Sequence, residues 1–229
     1  MTEDMGAAPA QAMTPAAISQ FILAHTRPTA TGFVPEIRLH LAAEPLGLWE
    51  MTERAAGRAG LPPPFWAFAW AGGQALARYV LDHREVVEGR RVIDVGTGSG
   101  LVAIAAALAG AAASTASDID PFAVAAVTLN AAANGVALTA LAPDALDGDG
   151  APAEVVLAAD VCYEKVLAGR VLRFLRRARA RGAAVLMGDL GRSYLPRSAF
   201  TELAVYDVPV PRALEDTDIK RTAVWEPKW

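Results

Sequence analysis

From Arg91 onward, short runs of consecutive apolar residues alternate with alanine-rich stretches whose apolar positions recur at helical spacing. Strands apolar on consecutive positions are buried on both faces, and strands separated by helical segments build a mostly parallel sheet covered on both sides. The pattern predicts strands over Arg91 to Val95, Ser114 to Ile119, Leu138 to Leu141, Val155 to Ala159 and Ala183 to Met187. It predicts helices over Leu101 to Ala109, Pro121 to Asn134 and Val166 to Arg181, the second starting on a proline and closing at Asn134-Gly135. A helix over Leu195 to Leu203 and strands over Ala204 to Val208 and Thr222 to Trp225 complete the set. The expected fold class is α/β: a doubly wound, Rossmann-like sheet of seven strands.

The first ninety residues carry a weaker pattern. Thr14-Pro15 is a helix start for Ile18 to Ala24, Pro62-Pro63-Pro64 forces an extended segment, and Gln74 to Leu81 returns to helical spacing. An N-terminal helical and extended layer over residues 14–90 is therefore expected in front of a Rossmann-like core over 91–229. Together they would form a single domain, with residues 1–13 disordered. A composition of 53% hydrophobic and 20% charged residues fits that single soluble domain.

Several function classes drop out. The longest apolar run, Leu101 to Ala113, is broken by Gly110 and falls short of the roughly 20 residues that cross a bilayer, so no membrane partner is expected. The acidic opening Met1-Thr2-Glu3-Asp4 is unlike a secretory signal, and a cytoplasmic location is expected. A net charge of -4 gives no pull toward nucleic acid. One cysteine, Cys162, and three scattered histidines offer neither a disulfide nor a metal site.

The chemistry concentrates at the strand ends. Val92-Ile93-Asp94-Val95-Gly96-Thr97-Gly98-Ser99-Gly100 is a strand with an acid near its end, three alternating glycines and a helix behind. Such a turn brings a ligand close to main-chain amides at a helix N-terminus. A dinucleotide fingerprint needs its third glycine at position 101, where Leu101 stands. Asp94 would repel a pyrophosphate but suits an ammonium group, as S-adenosylmethionine carries. Asp118-Ile119-Asp120 ends the second strand, where Asp118 can accept both ribose hydroxyls. Asp144, after the third strand, lies within reach of the adenine amino group. Strand-end aspartates commonly just make turns or cap helices; three of them at successive strand ends behind a glycine turn favour the ligand reading.

These features resemble the seven-β-strand S-adenosylmethionine-dependent methyltransferases. A resemblance to the electron-transfer flavoprotein β-subunit lysine methyltransferases extends over most of the chain. It is carried by Val34-Pro35-Glu36-Ile37-Arg38-Leu39-His40, by Pro64-Phe65-Trp66-Ala67-Phe68-Ala69-Trp70 with Gly72-Gly73-Gln74-Ala75-Leu76, and by Asp160-Val161-Cys162-Tyr163-Glu164. The departure is Ala71, where the family pattern has proline. The resemblance implies that Trp70, Gly73 and Gln74 border the cofactor together with Asp94, Gly96, Thr97, Gly98, Gly100, Asp118, Ile119 and Asp144. It implies that Asp160, Tyr163 and Glu164 receive the substrate amine, that S-adenosylhomocysteine is the product, and that the substrate is a protein, the electron-transfer flavoprotein β subunit. Two rivals are a small-molecule N-methyltransferase using the same cleft and a nicotinamide-dependent oxidoreductase; a third is a silent binding module.

A lysine amine must lose its proton before it attacks, at a cost of about 4.6 kcal/mol at pH 7 for roughly 3.4 pKa units. Asp160 would attract the charged amine yet raise its pKa, so burial against Tyr163 and the aromatic wall has to oppose it. Phe65, Trp66, Phe68 and Trp70 are as readily core as ligand contacts. The arginines over 170–181 usually mean a solvated helix face, with an acidic protein partner as the alternative.

Overall fold

A computed structural model, describing residues 13–57, 59–142, 144–212 and 217–229, starts helix α1 (Pro15–His25) where Thr14-Pro15 predicts it. The Thr14 hydroxyl accepts from the Ala17 amide at 3.2 Å, satisfying one of the free first-turn amides. An antiparallel hairpin of β1 (Arg27–Ala30) and β2 (Arg38–Leu41) follows, then α2 (Pro45–Ala56) and α3 (Ala71–Asp82). Neither the hairpin nor α2 is apparent in the apolar pattern, because β1 is exposed at all four positions and carries no alternation. The expected disorder over 1–13 falls outside the described residues except for Met13, which packs against the cluster around α1.

The core alternates as predicted: β3 (Arg91–Val95), α4 (Leu101–Leu108), β4 (Ala113–Ser117), α5 (Pro121–Ala133), β5 (Thr139–Leu141), β6 (Val155–Ala159), α6 (Lys165–Ala180) and β7 (Ala184–Asp189). Strands β8 (Phe200–Pro209) and β9 (Ile219–Pro227) complete a seven-stranded sheet in the order β5-β4-β3-β6-β7-β9-β8. Pairing is parallel through β7 and antiparallel beyond it. Residues alternate between faces along a strand. Val155 and Leu157 therefore pack with Leu76 and Val80 of α3 and Ile104 of α4, while Val156 and Val185 pack with Val171, Phe174 and Leu175 of α6. Among the described residues no helix is long and apolar enough to cross a membrane.

The expected helix over Leu195 to Leu203 is not formed. A single 3-10 turn at Arg197–Ala199 leads straight into β8, whose Phe200 already pairs with Pro227. A ladder to β9 from Phe200 to Pro209, broken only by a bulge at Leu203, outweighs the helical propensity of a few residues. The second core strand stops at Ser117 rather than Ile119, which leaves Asp118 and Ile119 to turn out at the sheet edge.

Two joints fix the N-terminal layer. At one, carboxamides of α5 read the main chain of β2: Asn134 Oδ1 accepts from the Arg38 amide (2.9 Å), Asn134 Nδ2 donates to the Arg38 carbonyl (2.6 Å), and Asn130 Oδ1 accepts from the His40 amide (2.7 Å). Asn130 Nδ2 also donates to the Ser99 carbonyl at 2.7 Å, inside the glycine turn. At the other joint α3 crosses the tip of β7 so closely that a Cβ on Gly188 would overlap the Gly72 carbonyl and lie 2.9 Å from Leu76 Cβ. The obstacle is backbone, which cannot rotate away. Gly188→Ala is expected to cost about 2–3 kcal/mol and lower Tm by roughly 5–10 °C in thermal unfolding; an unchanged Tm would mean the joint relaxes freely.

Candidate active site

A cavity of about 410 Å³ opens at the carboxyl ends of the parallel strands, where open α/β sheets bind their ligands. The turn after β3 forms its floor. Gly96 has φ +64° and its amide donates to the Ser117 carbonyl at 2.9 Å; an added Cβ would be both strained and 2.8 Å from Val161 Cγ1. The chain therefore presents bare backbone to the cavity here.

Asp94 is 1% exposed beneath this turn and accepts from the Thr97 hydroxyl. Burial pushes its carboxyl up to about 7, against the pull of the Thr97 and Ala103 hydrogen bonds, and the negative Asp118 adds to the rise. Asp118 accepts from the Gly98 amide at 2.9 Å and the Asp120 amide at 3.0 Å, so it braces the turn while lining the cavity. Burial raises its carboxyl too, opposed by backbone amides. Ile119 lies at the rim, 69% exposed. Asp120 caps α5 through the Phe122 amide at 2.9 Å.

Asp144 begins a 3-10 turn at Ala145–Asp147, accepts from the Leu146 amide at 3.0 Å and pairs with Arg170 at 2.8 Å. Arg170 also reaches Asp147 (2.8 Å), Arg177 donates to the Gly148 carbonyl (2.7 Å), and Arg181 to the Asp149 carbonyl (3.0 Å). Arg176 sits 5.1 Å over the Trp229 ring and Arg179 is 3.7 Å from Glu226. Arg170, Arg177 and Arg181 thus secure the loop that forms one cavity wall, while Arg176 and Arg179 meet the C-terminal segment instead.

At the tip of β6, Asp160 has φ +55°, a left-handed conformation unusual for a non-glycine. Its amide donates to the Gly188 carbonyl (2.9 Å), its Oδ2 accepts from the Gly73 amide (2.9 Å), and its Oδ1 takes Arg192 Nη2 (3.2 Å). Burial pushes the carboxyl up to about 6, with Arg192 opposing and Asp189 reinforcing. Tyr163 is half-exposed, its ring 5.3 Å from Phe65, which meets Trp70 at 5.8 Å. Trp70 is fixed by its indole N–H donating to the Phe65 carbonyl at 2.9 Å. Trp66 is core, stacked on Phe122 with its ring 5.8 Å away. Cys162 is buried, its thiol pushed up to about 12, which leaves no reactive thiolate.

The structure brings Trp70, Gly73, Asp94, Gly96, Thr97, Gly98, Asp118, Ile119, Asp144, Asp160 and Tyr163 to one cavity. Three expected site residues are outside its lining. Gln74 is engaged at both ends of its carboxamide, donating to the Ala69 carbonyl (2.9 Å) and accepting from the Phe33 amide (3.1 Å), and it latches the layer before α3. Glu164 caps α6, accepting from the Val166 (2.8 Å) and Leu167 (2.9 Å) amides. Gly100 is the left-handed N-cap of α4. Sequence reasoning missed Arg192, although it stands three residues past β7 at the same sheet edge, and Arg170, whose site role depends on a loop folding back onto α6.

A sequence family described as ribosomal protein L11 methyltransferase (PrmA) matches residues 74–183. The chain is 35% identical over 212 residues to the mouse electron transfer flavoprotein beta subunit lysine methyltransferase, covering 88% of this chain and 81% of that one. It is 38% identical over 175 residues to the Xenopus laevis protein of the same name, covering 76% and 70%. Among solved structures, a ribosomal protein L11 methylase from Lactobacillus delbrueckii subsp. bulgaricus superposes with a TM-score of 0.51 at 22% identity, over 71% of this chain and 81% of that one, a likeness of fold.

Proposed function

This chain belongs to the electron transfer flavoprotein beta subunit lysine methyltransferase family, and from that premise we propose that it methylates lysine side chains of the electron transfer flavoprotein β subunit with S-adenosylmethionine as donor. The observation that carries this reading is one cavity with a glycine cradle and acids at one end and the Asp160–Tyr163 segment at the other. We include in the proposal a cytoplasmic setting, a protein rather than a nucleic acid as partner, and residues 14–229 as one catalytic domain.

The cavity fits the donor in chemistry as well as volume. Bare backbone at Gly96 and Gly98 admits a close neighbour, Asp94 suits an ammonium, Asp118 suits a pair of hydroxyls, and the loop after Asp144 offers main-chain groups to a base edge. When bound, S-adenosylmethionine supplies a methyl group on a positive sulfur that departs as a neutral thioether. The chain's own residues do the rest. Trp70, Phe65 and Tyr163 form an aromatic wall that excludes water from the amine's path. Asp160, locked by Gly73 and Arg192, fixes the polar end of that path. Holding the amine nitrogen in line and about 3 Å from the methyl carbon supplies much of the rate, and no covalent enzyme intermediate is needed.

The direct test incubates the purified protein with labelled S-adenosylmethionine and recombinant electron transfer flavoprotein, followed by peptide mass spectrometry. Methyl groups on lysines of the β subunit are expected. Label found only in a low-mass fraction would replace the protein substrate with a small molecule.

Asp94 gives the cofactor site a pH signature. Its carboxyl normally titrates near 3.8 and in the folded protein near 7, so between those values the folded state holds a proton that the unfolded chain has lost. Through this group stability is greatest at low pH and declines as pH rises toward 7. An ammonium docking on Asp94 requires the ionised form, so binding below pH 7 releases a proton. Affinity for S-adenosylhomocysteine, which keeps the amino-acid end, is expected to rise by up to about tenfold per pH unit from pH 5.5 to 7 and then level. Calorimetry in buffers of different ionisation enthalpy reads the proton directly, and Asp94→Asn should abolish both effects. A flat profile in the wild-type protein would remove Asp94 from the ammonium site.

A further inference from the structure

The cationic partner of Asp160 does more than hold it in place: it puts a fixed positive charge at the substrate end of the cavity. Arg192 lines the cavity with its guanidinium on Asp160 Oδ1 at 3.2 Å, and the other carboxylate oxygen is taken by the Gly73 amide. Its backbone is fixed as well: Asp189 Oδ1 accepts from the Gly191 and Arg192 amides, both at 2.6 Å, and Asp189 is completely buried at the end of β7. The sheet therefore holds the main chain that carries the guanidinium, and Asp160 holds the guanidinium itself.

We propose that Arg192 is a positioning residue that cancels the charge of Asp160, so that a lysine amine arriving beside it can lose its proton to solvent near neutral pH, before it closes on the methyl group. This inference rests on the lysine-methylation reading. An unpaired carboxylate raises the pKa of an adjacent amine, which opposes the deprotonation that attack requires. An arginine stays charged at every working pH and so cancels that effect without titrating. Arg192 offsets the charge of Asp160 within a set that is acidic overall. Asp160 from the β6 tip and Asp189 from β7 are negative; Arg192 pairs the first, and Arg197, anchored on the Gly191 carbonyl, faces the second. The β6 loop adds neutral Cys162 and Tyr163, with Glu164 solvent-exposed beyond them; Asp118 stands toward Tyr163 from the β4 end, and α3 contributes the Gly73 amide. Removing Arg192 leaves Asp160, Asp189 and Asp118 facing Arg197 alone.

The test measures kcat against pH from 6.5 to 10 for the full-length protein, Arg192→Gln and Arg192→Lys, with S-adenosylmethionine and the recombinant flavoprotein. For Arg192→Gln the rise in kcat is expected about one pH unit higher, so turnover is about tenfold lower at pH 7.5 and converges with wild type by pH 10. Arg192→Lys restores the charge and should follow the wild-type profile. S-adenosylhomocysteine affinity, which reports that each variant is folded, should stay within threefold. If Arg192→Gln folds poorly, Arg192→Lys together with an Asp160→Asn/Arg192→Gln pair, which removes both charges, carries the comparison: both should keep the wild-type midpoint. A loss equal at all pH values, or a lysine variant shifted as far as the glutamine one, overturns the proposal. A wild-type protein that leaves the flavoprotein unlabelled would instead overturn the reading it rests on, and this inference with it.

Discussion

Asp118→Ala is expected to weaken S-adenosylmethionine binding by about 100-fold in titration calorimetry. Two ribose hydroxyls donating to one carboxylate are charge-assisted hydrogen bonds worth at least about 1.5 kcal/mol each, so removing the acceptor loses about 3 kcal/mol. The same carboxylate takes the Gly98 and Asp120 amides, so its loss also slackens the glycine turn. Asp118→Asn, which keeps one acceptor oxygen, should lose less than alanine. A change within threefold for the alanine variant would move the sugar elsewhere in the cavity.

Asp160→Asn is expected to lower kcat/KM by about 30-fold while cofactor affinity stays within about threefold. Asparagine still accepts from the Gly73 amide, so the start of α3 keeps its anchor. It leaves the Arg192 guanidinium uncompensated at the substrate end, where it repels an arriving ammonium. Truncating one partner of a buried charge pair costs about 2–5 kcal/mol, and the low end applies here because the arginine side chain is 25% exposed. The carboxyl titrates near 6 in the folded protein, so the wild-type rate should also fall below pH 6 as the pair is lost to protonation. Collapse of cofactor binding with normal turnover at saturation would reverse the roles of Asp94 and Asp160.

The core of the fold is legible in the sequence because β3 and β6 are buried on both faces and declare themselves as apolar runs, each followed by turn chemistry. The acids of the site are legible for the same reason, since a parallel sheet delivers its strand ends to one edge. The exposed β1, and the first residues of β8 from Phe200 to Leu203, are not legible, because their pairing comes from distant residues rather than from local pattern, whereas Ala204 to Val208 of β8 reads as a strand. At the site, Gln74 and Glu164 carry the right chemistry in the right segment, yet backbone amides claim them first: Phe33 for one, Val166 and Leu167 for the other. Arg192 shows the converse: its sequence neighbourhood is plain, and only the fold sets it on Asp160.

Because Asn130 and Asn134 grip β2 through its main chain, the hairpin's exposed side chains are free to diverge, while its seat and the buried Leu39 and His40 are not. A chimera carrying a foreign hairpin across this joint should dock in the same frame so long as both carboxamides remain. Asn134→Asp would strip the donor to the Arg38 carbonyl and loosen the graft, whereas Asn130→Asp would keep the acceptor for the His40 amide but untie Ser99, carrying the damage into the catalytic centre.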